Sequence, residues 1–134
     1  MCIRDRSYLA QEGIEIVRNI RDSNWLNNRD WKTGLSDENT DCSNGCEADY
    51  KIGTPSWPVL IPWTSDGNYL NIKNNFYSYD KTGNFSPTKF KRKITITASG
   101  LIINPVLKVS VLVTWQEKEE TFDTEVEEYL YDWY

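Results

Sequence analysis

No histidine occurs among the 134 residues of this chain. That removes the commonest general acid–base, the commonest zinc ligand and the usual partner of a catalytic Ser or Cys. An enzyme built on this sequence would have to run on carboxylates, Lys or Tyr. Long apolar runs are missing as well, and none approaches the ~18 or more residues that a membrane-spanning helix needs. Residues 1–6 are followed by no apolar stretch of the kind a secretory signal carries. There is no Gly-rich phosphate loop and no G-x-S-x-G nucleophile elbow. A basic excess is also absent. Lys and Arg number 15 against 20 Asp and Glu, a net charge of −5. That balance disfavours nucleic acid as a general partner.

What the chain does have is aromatic rings, with 6 Trp and 8 Tyr. In a length that fits one domain with one core, most of these rings are expected to pack inside. Exposed members of the set, with Trp57, Trp63 and Tyr77 as candidates, would suit a carbohydrate- or surface-binding face. Three cysteines are present. Cys42 and Cys46 share a polar, acidic loop, and so close a pair in a small protein points to a disulfide and an oxidising compartment. Their spacing is not C-x-x-C and no histidine accompanies them, which argues against a redox or zinc role.

Residues 7–22 read as an amphipathic helix. At 100° per residue Leu9, Gly13, Ile16, Val17 and Ile20 share one arc, and Glu12, Glu15, Arg18 and Asp22 lie opposite. Glu15 with Arg18 and Arg18 with Asp22 have pairing distance along the helix. Ile14 falls off the stripe and is expected to meet a second surface. Gly13 costs about 1 kcal/mol against Ala in a helix interior, so its place on the apolar arc implies close approach of another backbone. The helix is expected to fray over residues 22–24, with Trp25 and Leu26 packing beyond it.

Residues 27–68 read as a long loop rich in Asn, Asp, Ser, Gly and Pro, pinned by Trp31, Trp57 and Trp63. Within it Asp37, Asn39 and Asp41 have the D-x-N-x-D spacing of a calcium loop. The pattern then breaks, with Cys42 where the turn Gly belongs and Ala48 where the bidentate Glu belongs. A solvated acidic loop is therefore the expectation, and no metal or other cofactor is expected.

From residue 69 to 134 the period becomes 2. Residues 69–72 and 76–79 are short strand candidates, and residues 80–84 a turn. Phe90, Ile94, Ile96 and Ala98 alternate with Lys91, Lys93, Thr95 and Thr97. Leu107, Val109, Val111, Val113 and Trp115 mark the clearest strand, and Phe122, Thr124 and Val126 the last. The expected fold class is α+β, a helix laid across an antiparallel meander of about four strands. The basic cluster Lys89, Lys91, Arg92 and Lys93 reads as a solvated strand face, with contact to DNA or an anionic surface as the sharper alternative. The closing aromatics Tyr129, Tyr131, Trp133 and Tyr134 read as core or edge packing, or as a partner patch. Adjacent carboxylates such as Glu119 and Glu120, or Glu127 and Glu128, would point to opposite strand faces, which does not suit glycosidase chemistry. No catalytic residue and no small-molecule substrate is expected.

The stretch Tyr8-Leu-Ala-Gln-Glu-Gly-Ile-Glu-Ile-Val-Arg-Asn-Ile-Arg-Asp-Ser-Asn-Trp25 resembles the segment of minor type IV pilins and pseudopilins, the prepilin-type cleavage/methylation proteins, that follows their hydrophobic half-helix. Residues 90–96, 109–115 and 129–133 are more loosely similar to the strands and ending of that family. The resemblance implies a pilin-like fold and a structural subunit of a bacterial type IV pilus or type II secretion pseudopilus. It implies partners that are other pilin subunits, met through an N-terminal apolar half-helix, and residence in the inner membrane before assembly at the cell surface. That half-helix is not in this sequence. Residues 1–6, Met-Cys-Ile-Arg-Asp-Arg, resemble translated sequencing-adaptor read-through, so the expectation is a non-native start, with Cys2 outside the natural protein and residues 7–134 forming one head domain. A binding module with exposed aromatics is the competing expectation.

Overall fold

The computed structural model describes residues 3–32, 35, 42–49, 60–64, 67–74, 76–80, 83–100 and 105–131. Among these residues one helix, α1 (Ile3–Leu26), precedes eight strands: β1 (Cys46–Glu47), β2 (Ile61–Pro62), β3 (Asn71–Lys73), β4 (Phe76–Ser78), β5 (Ser86–Pro87), β6 (Lys91–Gly100), β7 (Pro105–Glu117) and β8 (Glu120–Tyr131). The strands form two antiparallel sheets, one ordered β2-β1-β6-β7-β8 and one ordered β4-β3-β5. The class is α+β. The single meander of about four strands is corrected to a three-strand meander, β6–β7–β8, that β1 and β2 widen to five, beside a separate three-strand sheet.

The apolar stripe of α1 lies on β6, β7 and β8. Leu9, Ile16, Val17 and Ile20 are buried, and so is the off-stripe Ile14. They meet the inward row of β7, where Leu107, Val109, Val111, Val113 and Trp115 are all 5% exposed or less. This two-layer contact is the main hydrophobic term of the fold. Gly13 sits at its tightest point. A Cβ there would stand 2.8 Å from Val111 Cγ1 and 3.4 Å from Arg92 Cδ. The close neighbour is thus side chain, and not the second backbone that the sequence suggested.

The helix does not fray at residues 22–24. It runs on to Leu26 and ends in a Schellman motif: Asn28 takes φ +55°, Arg29 N–H donates to Asn24 O at 2.8 Å, and Asn28 N–H donates to Trp25 O at 3.2 Å. These two bonds satisfy carbonyls the helix would otherwise leave open. Asn24, buried, also donates from Nδ2 to Trp31 O at 3.0 Å, which turns the chain back onto the body. Trp25 packs against the core, but Leu26 is 79% exposed, against expectation. Asp22 is bound by Arg21 rather than by Arg18, and Arg18 instead joins Glu15 to Glu128 of β8.

The segment read as a loop is less open than its composition suggests. Trp31, Leu35, Cys42, Ala48 and Leu60 from it are all core residues. Its residues 46–47 and 61–62 pair as β1 and β2, with Cys46 also opposite Ile94 of β6. At the far end, β7 and β8 are joined by Lys118 and Glu119 alone, in register Glu117↔Glu120. Both residues have positive φ, +49° and +70°, the signature of a type I′ hairpin turn.

Candidate functional site

Cys42 and Cys46 form a disulfide, with Cα atoms 5.2 Å apart. It closes a small ring that docks on β6: Ile96 N–H donates to Cys42 O at 3.0 Å, and Gly45 O accepts from Trp63 N–H at 3.1 Å. Gly45 has φ +105°, and the Lys93 stem crosses directly above it, where a Cβ would stand. The ring therefore fixes both the edge of the sheet and the path of Lys93. The calcium candidates Asp37, Asn39 and Asp41, together with Trp57, Trp133 and Tyr134, lie outside the described residues. Among the described residues no group of three or more His, Cys, Asp or Glu is arranged to hold a metal ion.

The basic cluster does not survive as a group of four. Arg92 points inward, between Phe90 and Ile94 on the core face of β6, and is fully buried. Its guanidinium donates to Glu12 at 2.8 Å, to Leu9 O at 3.1 Å and to Ala48 O at 2.5 Å. One side chain thus ties α1 and the disulfide loop to the sheet. A charge so deeply buried needs a counter-ion and hydrogen bonds, and of the guanidinium nitrogens Nε has no partner among the described residues. Glu12 supplies the counter-ion from the helix face read as solvated, and its side chain is only 13% exposed. Burial, followed by the charge of Glu12, pushes the neighbouring Tyr8 hydroxyl above its ordinary value.

Two further acids are buried beside this hub, and sequence reasoning gave neither a role. Glu47 accepts from the Asn68 backbone N–H and from Asn68 Nδ2, both at 2.9 Å. Asp49 accepts from Ser78 Oγ at 2.7 Å and from Tyr79 N–H at 3.0 Å. Glu47 thus ties β1 to the segment before β3, and Asp49 ties the segment after β1 to the end of β4. The hydroxyl of Tyr79 is buried near them, and burial drives its pKa well above the tyrosine range, reinforced by Glu47 and Asp49 and opposed by Arg92. It has no hydrogen-bond partner among the described residues.

Of the aromatic candidates, Tyr77 is buried, packed on Phe90 at 6.4 Å and on Tyr8 at 6.2 Å between ring centroids. With both neighbours in place its ring offers no face to a ligand, which corrects its assignment to a binding surface. Trp63 is half-buried. Its ring rests on the Gly67 backbone, and Lys93 Nζ stands 5.5 Å from its centroid. The exposed ring in this region is one the sequence did not single out, Tyr69, with Lys91 Nζ 4.6 Å from its centroid.

These groups lie on the face of the five-stranded sheet away from α1. Its side chains are largely sorted by charge, with Lys108 of β7, paired with Glu127, the exception. Lys91 and Lys93 stand on β6; Ser110, Leu112 and Thr114 are on β7; Asp123, Glu125 and Glu127 are on β8, with Lys93↔Leu112↔Glu125 in one cross-strand row and Lys91↔Thr114↔Asp123 in the next. Near the β7–β8 hairpin this face opens into two adjoining grooves of about 170 and 250 Å³ that share Tyr69, Lys89 and Gln116.

No protein-family model, no curated protein and no solved structure matches this chain. Among the described residues no helix is long and apolar enough to cross a membrane.

Proposed function

We propose that this chain is the globular head of a minor subunit of a bacterial type IV pilus or type II secretion pseudopilus. The observation that carries the reading is the position of residues 8–25. This stretch, which resembles the minor pilins, is the helix whose apolar stripe packs on the β6–β7–β8 meander. A filament head of this kind needs a rigid junction between helix and sheet, because the helix transmits the subunit's position to the globular domain. Three features supply that rigidity: Gly13 against Val111, Arg92 across α1 and Ala48, and Arg18 across to Glu128. In this reading the chain is structural and catalyses nothing, its natural partners are other subunits, and its location is the cell surface.

The reading requires an apolar half-helix encoded upstream of the Ser7 codon. Sequencing the source locus there tests it. The expected result is a short basic leader ending in Gly, then a Glu and roughly 20 apolar residues running in frame into Ser7. A cleavable secretory signal, or a start with no apolar span, would overturn it.

A further inference from the structure

The grooves on the outer sheet face carry a feature that a purely structural head does not need. Among the described residues that line them, three are lysines, Lys89, Lys91 and Lys118, and one, Glu119, is a carboxylate. Elsewhere Arg18, Arg21, Arg92 and Lys108 are each in an ion pair. Among the described residues Lys89, Lys91 and Lys93 are in none, as are Arg29, Lys32, Lys73 and Lys118, and what sets Lys91 and Lys89 apart is position: Lys91 Nζ lies 4.6 Å from the centroid of Tyr69, which is 46% exposed, and Lys89 lines both grooves with that ring. The first groove is lined by Trp63 and Trp115 together with polar groups set by strand register, where Lys91 stands opposite Thr114 and Gln116 opposite Thr121.

We infer that this groove, formed by Tyr69, Lys89, Lys91, Thr114, Gln116 and Thr121, is a binding site for an acidic sugar, the carboxylate- or sulfate-bearing unit of an anionic polysaccharide. The two adjoining basins, about 170 and 250 Å³, together fall within the ~300–1,000 Å³ of small-ligand clefts. They share a wall, as a site for two consecutive sugar units would. Tyr69 supplies an electron-rich face, which suits the C–H face of a pyranose. The Lys91 ammonium, 4.6 Å from the centroid of that ring, is the charge that an acid group on the sugar would meet. Thr114, Thr121 and Gln116 offer hydroxyl and amide groups that both donate and accept, which matches sugar hydroxyls. A polynucleotide fits less well, because single strands are held by successive stacked rings and the described lining of the two grooves presents one exposed ring, Tyr69. The site is independent of filament assembly, so it can fail while the filament reading stands, and the reverse.

The test is calorimetric titration of the 134-residue chain at low salt with four probes: an oligogalacturonate, a sulfated heparin oligosaccharide, a neutral maltodextrin and an oligo(dT). The expected result is saturable binding of one or both acidic sugars and none of the maltodextrin. Binding of the oligogalacturonate shows that a carboxylate suffices, and binding of the heparin oligosaccharide alone, which carries both groups, identifies sulfate as the recognised group. Tyr69→Ala and Lys91→Gln should each weaken binding about tenfold, while Lys108→Gln, at the other end of the face and paired with Glu127, should leave it unchanged. Lys89→Gln, at an exposed position, serves if either of the first two fails to fold. Tighter binding of oligo(dT), equal binding of maltodextrin, equal loss in Lys108→Gln, or no binding of any probe would each overturn the inference.

Discussion

Gly13 has a cost in the helix and a use against the sheet, and the balance between them can be measured. Ala at this position would gain about 1 kcal/mol of helix propensity. Its methyl would meet Val111 Cγ1 at 2.8 Å, and overpacking of that kind costs about 1–3 kcal/mol. Val111 is fully buried between β6 and β8 and has little room to yield. Gly13→Ala is therefore expected to lower stability in urea denaturation. In the double variant with Val111→Ala the added methyl has space, so the two losses should sum to less than their separate values. Strict additivity would mean that the contact is not what holds the glycine there. Tyr79 gives a second test on the same scale. Its hydroxyl is buried without a partner among the described residues, so Tyr79→Phe should cost nothing at neutral pH and gain up to about 1 kcal/mol. The wild-type hydroxyl has a folded-state pKa raised above its ordinary 10.0. The folded chain therefore keeps a proton that the unfolded chain loses, and stability falls as pH rises past that value. The variant should lose less stability than wild type in alkaline urea titrations, and parallel curves for the two proteins would contradict the burial of that group.

At the scale of elements, periodicity decided what the sequence could reveal. The stripe of α1 and the alternation of β7 repeat often enough to show a direction, and both bury the residues that the repeat marks. β1 and β2 have two residues each, too few for any period, and they exist because β6 offers an edge to which the disulfide ring is tied. Arg92 lay between two signals. Alternation with Phe90 and Ile94 turns it inward, while its charge argues outward. The inward position is held by partners 80, 83 and 44 residues away, which no local pattern discloses. Tyr69 was obscured in the same way, since its groove is assembled from two loops and three strands. The β7–β8 hairpin is a local feature with a local test. Lys118 and Glu119 both occupy the left-handed region, which costs a side-chain-bearing residue roughly 1–2 kcal/mol. Asn-Gly is the preferred pair for this turn. Replacing Lys118→Asn together with Glu119→Gly should raise stability by about 1 kcal/mol or more in thermal or urea unfolding. A loss of stability would show that the long side chains contribute contacts that outweigh the backbone.

At the scale of the whole molecule, the two layers and the loop segment differ in how they are held. α1 and β6–β8 share an apolar interface and long ladders in register. The disulfide segment is held instead by discrete ties: the bridge itself, the Arg92 bond to Ala48 O, and the carboxylates of Glu47 and Asp49. Cys42 and Cys46 are 4 residues apart, and closing so small a ring contributes about 2 kcal/mol in the chain-entropy view. Reduction should therefore loosen the segment without dissolving the body. The melting temperature is expected to fall by roughly 5–10 °C with the transition still cooperative. Hydrogen exchange would locate the loss. The amides of Ile96 and Trp63, whose acceptors lie on the ring at Cys42 O and Gly45 O, should lose protection, while those of Val109 and Val111, inside the β6–β7–β8 ladders, should keep it. An unchanged melting temperature would show that the other ties hold the ring alone. Complete unfolding on reduction would show that the helix–sheet interface is not self-sufficient, and that the bridge is part of what forms it.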